Sequence, residues 1–365
     1  MRKNKINSTK IIAYLMYAVI FWFAITFLIY PNLNILKVIF FQNGTFKTDS
    51  ISKLFSSARA VKSLKNSFIL ATTMVITVNV IGIFLVLVVD YFKVKGAKIL
   101  KLGYMTTLIY GGVVLVSGYK FVYGSNGIMT QMISSLFPSF NRGWFEGYLA
   151  VAFIATFSST SNHIIFLSNA LRKIDYSTVE AAKNMGASQF YILRKVVLPV
   201  LKPTVYALTV LLFIAGLGAT SASLIVGGKD FQTIGPMILT FSQSATSRDL
   251  AAVLALLLGI ATLLLLTVMM YFEKKGNFMS ISKTKSEIQK QKINNPVVNI
   301  IVHILAYALF LLYIIPVVFV VVFSFTNAQS ISSGVISGFT LTNYIDVFSD
   351  IEVLKPFITS TLYSL

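Results

Sequence analysis

The chain has 365 residues, of which 56% are hydrophobic and 12% charged, with a mean hydropathy of +0.79. An ordinary soluble domain has roughly a quarter of its residues charged, so this composition excludes one and points into lipid. The formal charge of +19 raises nucleic acid as a partner, but the basic residues lie at the ends of apolar runs rather than on one soluble face, which excludes it.

A helix needs about 20 apolar residues to cross a hydrocarbon core roughly 30 Å thick. Runs of that length occur at approximately 11–30, 67–89, 102–124, 147–171, 203–228, 250–272 and 298–325. Lipid offers no partner to backbone polar groups and the runs are too long for strands, so the fold class is all-α, a polytopic helical bundle. The first run exceeds the apolar region of a signal peptide, and Pro31-Asn32-Leu33-Asn34 behind it carries no cleavage pattern, so it is retained as a span. With the N-terminus inside, 20 of the 31 Lys and Arg fall in cytoplasmic segments and 10 outside; that excess predicts a cytoplasmic N-terminus. Lys120 lies within the third run, beside Tyr119 and Tyr123, as a residue snorkelling to the interface would. The absence of cysteine rules out disulfides and thiolate metal sites.

The fourth run holds Ser158-Ser159-Thr160-Ser161-Asn162-His163 at mid-membrane. Asn162 and His163 are candidates for lining a translocation path, against the plainer role of hydrogen bonding between helices. Asn79 in the second run poses the same choice, and Ala215, Gly216, Gly218, Ala219, Ser221 and Ser223 in the fifth suit close helix contact. Neither a catalytic constellation nor a metal-ligand cluster is expected from the sequence.

Residues 175–199 interrupt the apolar pattern with Asp175-Tyr176-Ser177-Thr178-Val179-Glu180-Ala181-Ala182-Lys183-Asn184-Met185-Gly186-Ala187-Ser188. Ser177 and Glu180 have capping-box spacing, Ala181 and Ala182 favour helix, and Gly186 suits a left-handed helix end. Ser188 can cap a second helix in which Phe190, Leu193, Val196 and Val197 share a face, with Pro199 and Pro203 limiting its continuation. Such an elbow fits a groove of a soluble partner, although its composition also fits an amphipathic connector lying on the membrane. Glu180, Ala181, Ala182, Gly186, Val196, Leu198 and Pro199 together resemble the EAA loop of the permeases of binding-protein-dependent (type I) ABC importers, with Val196 where isoleucine is usual. The resemblance implies a multi-pass protein of the bacterial cytoplasmic membrane whose seven loop residues dock on an ATP-binding subunit, itself a homodimer. It further implies an extracytoplasmic substrate-binding protein as partner and a small solute as cargo, ferric iron first, with phosphonate, polyamine and thiamine as alternatives. The chain holds no Gly-x-x-x-x-Gly-Lys-Ser/Thr phosphate loop, so it is not expected to be an enzyme or to bind a cofactor; ATP and Mg belong on the partner.

Residues 273–297 are polar and basic, as a solvated cytoplasmic linker would be. Beyond them a shift of 293 lays Phe46 on Phe339, Phe55 on Phe348 and Ser67 on Ser360. The expected organisation is a first six-span permease unit at 1–272 with its EAA loop at 175–199, the linker at 273–297, and at 298–365 the truncated start of a second unit. That resembles the double-length permeases. A secondary transporter would call for charged residues at mid-membrane, and a non-transport scaffold for no ATPase partner; both leave the EAA loop unexplained.

Overall fold

The computed structural model describes residues 8–42, 45–46, 48–275 and 289–364. In chain order, α1 (Ile12–Phe40) leads through a small hairpin, β1 (Phe41–Gln42) with β2 (Thr45–Phe46), to α2 (Asp49–Ser56) and α3 (Ala58–Tyr91). There follow α4 (Ala97–Leu108), α5 (Gly112–Tyr123), α6 (Ile128–Leu136), α7 (Gly147–Leu171), α8 (Tyr176–Asn184) and α9 (Gln189–Leu217). Then come α10 (Ser221–Val226), α11 (Ile234–Ser242), α12 (Arg248–Tyr271), α13 (Pro296–Ser324), α14 (Ala328–Ser333), α15 (Thr342–Ser349) and α16 (Ile351–Ser364). The fold is the all-α bundle that the apolar runs call for, and α1, α3, α7, α9, α12 and α13 are each long and apolar enough to span.

Three runs depart from the simple expectation. The third is broken: the chain bends by 114° between 97–108 and 112–136, at Gly111 and Gly112. Lys101 near the start of this pair lies 2.9 Å from Asp90, and the Tyr123 ring near the end of α5 lies 5.3 Å from that of Phe145, so the kinked pair crosses the bundle once. The fifth run stops at Leu217 and restarts as α10. Ser223 Oγ donates to Phe231 O and accepts from Thr233 N, both at 2.9 Å, satisfying backbone groups that a broken helix leaves open. The first run continues through Pro31 to Phe40 because a π turn at Ala24–Ile29 precedes the proline, with Tyr30 N bonding to Ile25 O. The wider turn moves the carbonyl that the proline ring would otherwise strike.

At the centre, α3 packs against α7 and α9. A Cβ at Gly216 would lie 2.5 Å from Ala71 Cα, and one at Gly82 2.5 Å from His163 Cγ, so these two glycines set how closely the helices approach, the packing role expected of small residues in a membrane. A second apolar cluster joins the ends of α1, α2, α3, α11 and α12 through Ile39, Leu54, Ala60, Phe241 and Leu254. The helix after the linker belongs to the first cluster. Ala306 and Tyr313 of α13 are fully buried, with Tyr104 Oη donating to Ala306 O at 2.7 Å and Tyr313 hydrogen-bonded to Thr160. By contrast the apolar stretch of α1 is exposed, and only its last third meets α12.

Residues 276–288 of the linker, Lys47 and Leu365 lie outside the described residues. The end of the linker is not simply solvated: Gln291 and Ile293 are buried. Helix α15 starts and ends 293 positions after α2, and α16 starts 293 positions after α3.

Candidate functional site

The elbow begins where α7 ends. Asp175, not Ser177, caps α8, its Oδ1 accepting from Ser177 N at 3.1 Å. Ser177 therefore lies inside the helix, and the capping box with Glu180 does not form; Asp175 is nearer the chain reversal and reaches the open amide first. At the other end Gly186 has φ +80°, Gly186 N bonds to Lys183 O at 2.8 Å and Ala187 N to Ala182 O at 3.0 Å. These paired bonds close the last carbonyls of α8 around a left-handed residue, a conformation cheap for glycine. Ser188 then caps α9, accepting from Tyr191 N at 3.2 Å.

The second arm is the first part of α9, and it does not stop at the prolines. A π turn at Leu193–Val197 lets Leu198 N bond to Leu193 O, and the helix passes through Pro199 and Pro203 to Leu217. As at Pro31, the wider turn relieves the contact between the ring and the carbonyl four residues back, here that of Lys195. The same turn redraws the apolar face. Ile192 and Val197, five apart, are buried, Leu193 and Val196 are half-buried, and Phe190 is exposed, so the expected face of Phe190, Leu193, Val196 and Val197 is not the one formed.

The seven loop residues divide by exposure. Ala182 is buried, and Val196 and Leu198 pack half-buried on the core, while Glu180, Ala181, Gly186 and Pro199 are exposed. Beside them project Met185 (81% exposed), Phe190 (71%) and Tyr191 (55%). One side of the elbow thus anchors it to the bundle, and the other presents apolar side chains in its turn and on the helix that continues into a span.

The two path candidates lie on different faces of α7, as neighbours about 100° apart on a helix must. His163 is fully buried, its Nε2 3.0 Å from Asn79 Oδ1, while Asn79 Nδ2 donates to Thr209 Oγ1 at 2.9 Å. This ties α3, α7 and α9 together and leaves His163 Nδ1 without a hydrogen-bond partner. Asn162 is exposed, on the face that also carries exposed Phe166 and Asn169.

A family of transporter proteins, described as "Binding-protein-dependent transport system inner membrane component", has a model that matches residues 12–275. The chain belongs to this family. Its segment 175–199, with the capped and glycine-closed elbow, falls inside the match. A probable ABC transporter permease of Sinorhizobium fredii, y4fN, is 42% identical over 348 residues, 95% of this chain and 61% of the relative. A putative ferric transport system permease of Haemophilus influenzae, FbpB 1, is 25% identical over 214 residues, 58% of this chain and 33% of the relative. The chain thus spans under two thirds of the length of either. A solved bacterial alginate ABC transporter, in complex with a periplasmic protein bound to an alginate pentasaccharide, shares the fold with a TM-score of 0.61 at 15% identity, covering 76% of this chain and 96% of that one.

In this inner membrane component the EAA-like pattern located the elbow but not its presented side chains. Met185 and Tyr191 were legible only as apolar residues in a polar loop, Phe190 was assigned to a face with Leu193, Val196 and Val197, and the π turn has no composition signal.

Proposed function

We propose that this chain is the membrane-spanning permease of an ATP-driven importer, and that its elbow docks on a separate ATP-binding subunit. The observation that carries the proposal is the exposure of Met185, in the turn after α8, and of Phe190 and Tyr191, in the first turn of a helix that runs unbroken from Gln189 to Leu217. Exposed aromatic and methionine side chains on a rigid element are what a groove on a soluble partner takes, and a continuous helix passes the partner's movement into the bundle. ATP and Mg are held by that subunit, a homodimer, and this chain carries out no hydrolysis itself. The solute arrives from an extracytoplasmic binding protein and crosses by alternating access. Ferric iron is the first choice, in keeping with the ferric permease relative, and phosphonate, polyamine or thiamine come next.

The excess of Lys and Arg in the segments on one side of the membrane supports a cytoplasmic elbow and N-terminus. The shared 293-residue register of α2 with α15 and of α3 with α16 supports reading 298–365 as the start of a second permease unit after 1–272 and the linker. Asn162, on the exposed face of α7, is the better placed of the two path candidates, and His163 serves it from behind by fixing the helix. The test is co-purification in mild detergent with the ATP-binding subunit encoded alongside. Serine at Met185 and Phe190 should remove the subunit while leaving the permease folded; undiminished association would overturn the docking role. The cargo is read by identifying the ligand held by the accompanying binding protein.

A further inference from the structure

Residues 289–295 pass from the linker into α13 across the base of the elbow, and their hydrogen bonds reach three separate parts of the bundle. Gln291 forms a parallel bridge with the end of α3: its N donates to Tyr91 O at 2.7 Å, and its O accepts from Lys93 N at 2.8 Å. Lys290 Nζ donates to Val89 O at 2.6 Å. Toward the elbow, Lys183 of α8 donates to Gln291 Oε1, Gln189 of α9 donates to Lys292 O, and Gln189 Oε1 accepts from Asn294 N at 3.0 Å. Toward the next span, Asn295 caps α13, accepting from Val297 N at 2.9 Å. One turn on, the Lys95 backbone is held by α13, its N donating to His303 Nε2 at 3.4 Å and its O accepting from Tyr307 Oη at 2.9 Å.

We propose that residues 290–294 form a strap that makes the elbow, the end of α3 and the start of α13 move as one body, with Gln189 and Gln291 as its positioning residues. This rests on the elbow being the ATPase dock. Four features carry the assignment. Gln291 is 4% exposed although it is polar and sits in a linker, and a polar side chain is buried only where its hydrogen bonds are met. Both arms of the elbow are held, through Lys183 on one and Gln189 on the other. Met185 and Phe190 make none of these bonds and stay exposed. Finally, a cleft of about 450 Å³ lies between strap and elbow, lined by Lys183, Gly186, Ser188, Gln189, Gln291 and Asn294. The hydrogen bonds across that cleft fix the direction of the elbow relative to the strap. A push on the elbow is then delivered to α13 as well as along α9, so the span that leads onward from the linker moves with the first dock.

The test uses the full-length permease with its ATP-binding subunit, measuring deuterium exchange and ATP hydrolysis. The paired variant Gln189→Ala/Gln291→Ala should raise exchange at residues 183–192 about tenfold while exchange in α3 and α7 is unchanged and the subunit still co-purifies. Unchanged exchange at the elbow would overturn the strap. Because the chain has no cysteine, Gln189→Cys/Lys292→Cys can be joined by a short thiol reagent. The complex with the joined permease should hydrolyse ATP at the unjoined rate, whereas a tenfold loss would mean that strap and elbow must separate and would refute movement as one body. If the unaltered permease retains no ATP-binding subunit, the docking role fails, and the exchange measurement still decides whether the strap holds the elbow.

Discussion

Gly186 offers a sharp test of the elbow because conformation and space are separated there. Its φ is +80°, yet a Cβ built on it meets nothing within 4 Å. Any penalty for a side chain therefore comes from the backbone, not from crowding. A left-handed L-residue costs about 1–2 kcal/mol, asparagine enters that region most readily, and a β-branched residue is the poorest fit. A loss of 1–2 kcal/mol corresponds to a factor of about 5–30 in the population of the closed elbow. The expected order of affinity for the ATP-binding subunit is then Gly, Asn, Ala, Val, with Gly186→Ala down by roughly that factor and Gly186→Asn close to the unaltered chain. The measurement is the apparent Kd of the detergent-purified permease for the subunit. If Asn binds worse than Ala, the larger side chain is being refused space by the partner, and the conformational account is wrong.

Other outcomes follow from burial and approach. Gly216→Ala gains helix propensity of about 1 kcal/mol but forces a Cβ to 2.5 Å from Ala71 Cα, and overpacking costs about 1–3 kcal/mol, so Tm in detergent should fall. Gly259→Ala in α12, with open space at the Cβ, should hold or raise Tm; the reverse order would count against the packing described. Phe190→Ser should weaken subunit binding about tenfold or more, as loss of an interface anchor does, with Tm unchanged. Ile192→Ser, at 1% exposure, should lower Tm by removing a core side chain. Lys290 is held below its ordinary pKa of 10.5 by burial, with Asp90 opposing. The strapped state thus binds fewer protons than the released one between the lowered value and 10.5, and strapping should strengthen as pH rises through that window. Protection factors for the Lys93 and Gln291 amides, corrected for base-catalysed exchange, should increase with pH; a decrease would contradict the placement of Lys290.

The spans were legible because lipid demands long apolar runs, and the turn of the elbow because Gly186 and Ser188 are the residue types that helix ends require. Asp175 was passed over as a cap because Ser177 matched a pattern with Glu180, and pattern spacing does not say where a chain reverses. The kink in the third run had only Gly111-Gly112 to announce it. Phe190 was assigned to the wrong face because a 3.6-residue period was read through a π turn. Asn162 and His163, adjacent in sequence, fall on different faces of α7, one exposed and one buried. The strap was invisible for another reason: half of its bonds are made by backbone atoms, and they join residues about 100–200 positions apart.

The π turn at Leu193–Val197 has a geometric consequence for the elbow. It holds one residue more than an α turn, and each residue of an α-helix accounts for about 100° of rotation and 1.5 Å of rise. The wide turn takes up that extra residue, so Ile192 and Val197, five apart, still share the buried face. The same residues in a regular α-helix would swing Phe190 about a quarter-circle around the axis of α9 and carry it about 1.5 Å further from the bundle. The direction in which the elbow points is therefore set by one wide turn, as the timing of a camshaft is set by one tooth, and the length of this short segment matters as much as its composition.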